Sequence, residues 1–188
     1  MASKDRKYDV VEDIIGGPPN SKPVLSQNGN IIPKNQLIIF NKDRDRINKS
    51  DHYKIRFDIK GFSQSSLRFT PSEDDVLWVK KGTGPGDCPT SPCHDLSDTI
   101  WVAAMDEGGE WIDVINMDMS KQEFWFTLNL VPKNNPTSTN YVPVDPGGGN
   151  ENGGLKRANF DLSSFGVFAL GVGAGILALG GAQLLLAQ

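Results

Sequence analysis

His52-Tyr53-Lys54-Ile55-Arg56-Phe57-Asp58-Ile59-Lys60 alternates without a break. Tyr53, Ile55, Phe57 and Ile59 hold every second position, and Lys54, Arg56, Asp58 and Lys60 hold the positions between them. Successive side chains of an extended chain point to opposite faces, so this period predicts a strand with one buried face and one wet face. A helix would scatter the same four apolar residues around its axis.

The pattern recurs on both sides of this stretch. In Glu123 to Val131, Phe124, Phe126, Leu128 and Leu130 share one face, with Glu123, Trp125, Thr127 and Asn129 on the other. Pro23 to Ser26 and Asn30 to Ile32 flank Gln27-Asn28-Gly29, and Asn-Gly is a strong hairpin signal because both residues accept positive φ. Gln36 to Phe40, Leu67 to Thr70, Val76 to Lys80, Thr99 to Met105 and Trp111 to Met117 are further short apolar runs separated by Gly, Pro, Asp and Ser. Such a series, with no helix-period stretch between its members, predicts an all-β fold, an antiparallel β-sandwich of about seven or eight strands over residues 23–131. A strict immunoglobulin domain is excluded, because its cysteines bridge distant strands and Cys88 and Cys93 sit in one loop.

Composition changes at both ends of that domain. Residues 1–22 read as an N-terminal arm in which Tyr8, Val10, Val11, Ile14 and Ile15 recur at helical spacing, before Gly16-Gly17-Pro18-Pro19 stops any helix. Residues 132–160 read as a linker, with Pro132, Pro136, Pro143 and Pro146, the run Gly147-Gly148-Gly149, Gly153-Gly154 and few apolar side chains to bury.

From Phe165 to Gln188 the chain carries no charge. Residues 161–188 are therefore expected to form a single transmembrane helix, because the 24 residues of the uncharged run at ~1.5 Å each reach about 36 Å and a hydrocarbon core is about 30 Å thick. Gly171, Gly175, Ala178 and Ala182 make one stripe of small residues, and Gly166, Ala169 and Gly173 make another. Both suit close packing against neighbouring membrane helices. Lys156 and Arg157 precede the span and favour a cytoplasmic placement of the N-terminal domain. Met1 to Lys7 is charged and no apolar stretch follows it, so no secretory signal is read there. These features together describe a tail-anchored, single-pass protein. Gly173-Ala174-Gly175 resembles a dinucleotide-binding turn only superficially, since that fold needs a preceding strand and a later acidic strand.

Lys and Arg total 19 against 23 Asp and Glu, a net charge of −4, which leaves no basic face for nucleic acid. Cys88, Cys93 and His94, beside Asp87 and Asp95, carry the ligand types of a zinc site, but they form one cluster only and adjacent Cys93 and His94 are awkward co-ligands. A local disulfide in an oxidising compartment, or free thiols in a reducing one, are the alternatives. Cys–His catalysis would need a base at hydrogen-bonding distance with a third group to orient it. Trp125 lies on the polar face of its strand and is a candidate anchor for a protein partner. The expectation is a non-catalytic accessory subunit of a membrane complex, of the photosynthetic or respiratory kind, with no cofactor. Its partners are other membrane-protein subunits and the lipid bilayer. The alternatives are a membrane-tethered ligand- or protein-binding module, and a structural membrane protein of a lipid-containing virion.

Overall fold

Alternation over His52–Ile59 produces the strand it predicts, with Tyr53, Ile55, Phe57 and Ile59 buried and the residues between them half-buried. The structure, a computed structural model, describes residues 2–11, 23–33, 36–82, 84–145 and 147–154. The chain divides into Met1–Lys156 and Arg157–Gln188, and all described residues belong to the first unit.

The described strands are β1 (Ser3–Val11), β2 (Val24–Gln27), β3 (Asn30–Ile31), β4 (Leu37–Phe40), β5 (His52–Ile59), β6 (Leu67–Phe69), β7 (Leu77–Lys81), β8 (Ile100–Met105), β9 (Trp111–Asn116), β10 (Ser120–Pro132), β11 (Val142–Val144) and β12 (Gly147–Gly154). Two single-turn helices, α1 (Lys42–Asp45) and α2 (Glu73–Val76), interrupt them. The first sheet runs β3-β2-β1-β5-β9-β8. The second runs β11-β10-β12-β4, with β6 and β7 along the other edge of β10. Asn28 and Gly29 both take positive φ, 52° and 80°, as the β2–β3 hairpin requires.

Three features depart from the sequence reading. Both sheets are mixed rather than antiparallel, because β1 runs parallel to β5 and β12 parallel to β4. The segment read as an arm with a helical turn supplies β1, whose Tyr8 and Val10 are buried opposite Phe57 and Ile59. Positions 8 and 10 fit period two as well as helical spacing, and an available edge of β5 decides between them. The segment read as a linker supplies β11 and β12.

A strand that begins with three glycines forms because its partner brings the side chains. Phe124 stands opposite Gly148 and Trp125 opposite Gly147 in register, and their rings occupy the space a side chain on β12 would fill. Three glycines cost roughly 1.5–3 kcal/mol in backbone entropy, and burial of one large aromatic offsets about as much.

One hydrophobic cluster draws on both sheets. Phe57 of β5 lies 5.9 Å from Phe126 of β10, and Tyr53 of β5 lies 5.0 Å from Phe40 of β4. The other face of β10, read as wet, is covered. The single Thr127 hydroxyl proton is shared between the Pro89 carbonyl at 2.8 Å and Asp145 Oδ1 at 3.2 Å, and Asn129 Nδ2 donates to the Asp75 carbonyl at 2.6 Å. Loops packed on this face thus receive the Thr127 hydroxyl and the Asn129 amide, while Asn129 Oδ1 and the Trp125 indole nitrogen are buried without a hydrogen bond among the described residues.

Among the described residues no helix is long and apolar enough to cross a membrane. The expected span 161–188, its small residues Gly166, Ala169, Gly171, Gly173, Gly175, Ala178 and Ala182, and the flanking Lys156 and Arg157 lie outside the described residues.

Candidate functional site

The outward face of β5 carries Lys54, Arg56 and Asp58, and the strands beside it supply the opposite charges. Arg56 faces Asp113 across the β5–β9 pair and donates to it from Nε at 2.7 Å and Nη2 at 2.8 Å, while Lys54 Nζ reaches the same carboxylate at 2.9 Å. Asp113 is buried beneath these cations. Burial alone would raise its carboxyl, yet the hydrogen bonds from Arg56 and Lys54 hold it below the ordinary carboxylate range. Those hydrogen bonds in turn keep the Arg56 guanidinium raised. The guanidinium stacks 4.0 Å above the Trp111 ring. On the other side of β5, Lys7 of β1 pairs with Asp58 at 3.1 Å. The result is a face of three cations paired with two carboxylates, with a half-buried indole and guanidinium among them. Tryptophan and arginine are the side chains that most often anchor protein contacts.

Further along the first sheet, β8 is its outermost strand. A cavity of about 250 Å³ separates β8 from β7, with Leu77, Val79 and Ile100 among its walls, and half-buried Trp101 together with Glu73 and Asp74 of α2 also lining it. His94 lines the same cavity and is held there by backbone pairing: Val79 N donates to the Cys93 carbonyl at 2.7 Å, and Asp95 N to the Val79 carbonyl at 3.1 Å.

These bonds define what the loop of Cys88, Cys93 and His94 does. It folds back onto β7, and its Pro89 carbonyl receives the Thr127 hydroxyl. Neither cysteine is in a disulfide, and both are half-buried. Burial pushes the Cys93 thiol up, so thiolate chemistry is disfavoured there. Among the described residues no three His, Cys, Asp or Glu side chains are arranged to hold a metal ion. The loop covers the second face of β10.

Trp125, expected as an exposed partner anchor, is only 2% exposed. A methyl group on Gly147 would lie 2.7 Å from its Cζ3 atom, so the indole packs directly on the β12 backbone. Alternation placed Trp125 on the polar face correctly, but its indole lies across the glycine backbone of the neighbouring strand β12 and is buried there. The half-buried Trp101 and Trp111 are the indoles with surface to offer.

A second set of residues escaped the sequence reading. Lys42, 3% exposed, donates from Nζ to the carbonyls of Lys49 at 2.9 Å and Met117 at 2.8 Å. Burial lowers its ammonium pKa, and Asp118 and Asp51 partly restore it. Nearby, Asp45 accepts from Arg6 Nη2 and from the Tyr53 hydroxyl, the latter at 2.7 Å. Burial, reinforced by the hydrogen bond to Asp45, pushes the Tyr53 phenol far above its ordinary range. The run Lys42-Asp43-Arg44-Asp45-Arg46 looks like a solvated turn, and only the position of α1 against β1 and β5 turns two of its charges inward. This cluster ties α1 to the first sheet.

No protein-family model matches the chain, and comparison with curated proteins finds no match.

Proposed function

We propose that this protein is a non-catalytic accessory subunit of a membrane complex, a β-sandwich that binds partner proteins while a hydrophobic segment holds it at the bilayer. The observation that carries the reading is the uncharged run from Phe165 to Gln188, which is long enough to cross a hydrocarbon core. Its stripes of small residues, Gly171 with Gly175 and Ala178 and Gly166 with Ala169 and Gly173, favour contact with other membrane helices.

The folded domain supports a docking role through what it presents outward. Arg56 stacked on Trp111 and the Trp101 side of the cavity offer large, pre-ordered side chains at low entropic cost. Lys156 and Arg157 favour placement of the domain on the cytoplasmic side.

Purification in mild detergent tests the proposal. Stoichiometric co-migration with a larger membrane complex is the expected result, and a clean monomer at physiological expression would overturn it. Resistance of the full chain to alkaline carbonate extraction is expected as well, and release into the soluble fraction would remove the membrane part of the reading.

A further inference from the structure

The cavity between β7 and β8 joins three features that one kind of ligand would use together. Its floor is apolar, made by Leu77, Val79 and Ile100, all nearly fully buried. Glu73 and Asp74 belong to the same lining, as does Trp101, whose side chain leaves β8 on the opposite face from Ile100. An apolar floor bordered by two acidic residues matches a long aliphatic stem ending in a cation. At about 250 Å³ the space falls just below the ~300–1,000 Å³ of typical small-molecule sites. It has the size of a single long side chain. Anionic headgroups and phosphates are disfavoured by the same two carboxylates.

The strand beside the cavity says how such a side chain would arrive. Among the described strands β8 closes the sheet order with β9 as its one partner in that sheet, and an edge strand is a template for an added strand. Ile100 and Trp101 belong both to this strand and to the cavity lining. A strand laid along β8 would run past the cavity mouth, and alternate side chains of that strand would face it.

We infer that the β7–β8 cavity receives an arginine or lysine side chain from an extended segment of a protein partner that pairs with the edge of β8. This rests on the reading of the chain as a docking subunit and names the chemistry of the partner. The stem covers Leu77, Val79 and Ile100, and Glu73 and Asp74 compensate the charge at its end. Backbone pairing supplies affinity and the basic side chain sets register.

The test uses the full chain in detergent micelles and a short blocked peptide of alternating threonine and valine with a central arginine. A second peptide carries citrulline, which keeps the shape and loses the charge. The readout is the nitrogen-correlated indole signal of Trp101, assigned by its loss in Trp101→Phe. The expected result is a saturable shift with the arginine peptide and about tenfold weaker binding of the citrulline peptide, a difference of ~1.4 kcal/mol. Combined Glu73→Gln and Asp74→Asn should bring the two peptides to equal affinity, and both sites are exposed, so the fold is not at risk. Equal binding of both peptides to the unaltered protein, an unmoved Trp101 signal, or charge discrimination that survives the double substitution would each overturn the inference. Co-migration of the wild type with a large complex, combined with an unmoved Trp101 signal, would retire the cavity and leave the accessory-subunit reading standing. A clean monomer that still discriminates arginine from citrulline would do the reverse.

Discussion

Gly148 lies beneath the ring of Phe124: a methyl group on its α-carbon would stand 2.3 Å from Cζ and 2.5 Å from Cε2 of that ring. The two residues are direct partners in the β10–β12 ladder, and the ring belongs to the core cluster. Gly148→Ala must displace a buried phenylalanine or bend β12, and overpacking of this kind costs about 1–3 kcal/mol. Gly149→Ala meets Ile39 Cδ1 at 3.2 Å and Leu37 Cδ1 at 3.7 Å, both ends of flexible side chains. Urea denaturation followed by tryptophan emission should therefore rank Gly148→Ala well below Gly149→Ala, and equal midpoints would contradict the packing.

That relationship also marks where sequence legibility stops. Alternation over His52–Ile59 was readable because buried and wet faces differ in chemistry at every step. The Asn28-Gly29 turn was readable because its backbone requirement is local. Gly147-Gly148-Gly149 has no pattern of its own, and its strand conformation depends on Phe124 and Trp125 more than 20 residues earlier. Trp125 was misread for the same reason, since the room its ring occupies is opened by Gly147, a neighbour with no side chain to announce it. Ser3–Val11 was ambiguous because parallel pairing with β5 is a long-range event. At the candidate site, Glu73, Asp74 and Trp101 are unremarkable in sequence and meet only where β7 and β8 diverge.

Asp113 holds two cations from below, and removing its charge strands both. Asp113→Asn should lower stability at neutral pH by ~1–3 kcal/mol, since Arg56 and Lys54 lose a shared carboxylate that is almost fully buried. The folded-state carboxyl sits below its ordinary value of about 3.9, so this stability is present above that pH and is lost as pH falls through the lower, folded value. Urea midpoints of wild type and variant should differ at pH ~7 and converge toward pH ~2. A difference that persists undiminished in acid would mean that the pairing is not the source.

Lys42 occupies a pocket of carbonyls and carboxylates that an uncharged side chain cannot satisfy. Lys42→Met keeps most of the volume but leaves the carbonyls of Lys49 and Met117 without their shared donor and removes the cation between Asp51 and Asp118. The expected loss is roughly 2–4 kcal/mol. The sign of its pH dependence is opposite to a simple salt bridge. The folded ammonium pKa is lowered by burial, so the unfolded chain binds this proton more tightly and the wild type gains stability as pH rises toward the unfolded value of about 10.4. Hydrogen exchange at Met117 and in α1 should accelerate in the variant, and unchanged protection there would show that Lys42 is dispensable.

Tyr53 offers the cleanest separation of packing from hydrogen bonding. Its ring lies 5.0 Å from Phe40 and beneath the Arg6 guanidinium at 5.1 Å, contacts that phenylalanine keeps. Its hydroxyl donates to Asp45 at 2.7 Å, and phenylalanine loses that. Hydrogen bonds to charged groups contribute about 1.5–3 kcal/mol, so Tyr53→Phe should be destabilised by an amount in that range near neutrality. Above pH ~10 the order should narrow. The folded phenol is raised by burial and by Asp45, so the unfolded chain releases its proton first, and stability that is complete below about 10 is lost as pH rises beyond it. Phenylalanine has no proton to release, so the variant should show a shallower alkaline limb, with the part contributed by buried Tyr8 remaining. Thermal midpoints of both proteins from pH ~8 to ~11.5 read this directly, and parallel limbs would show that the Tyr53 hydroxyl is not held against Asp45 in solution.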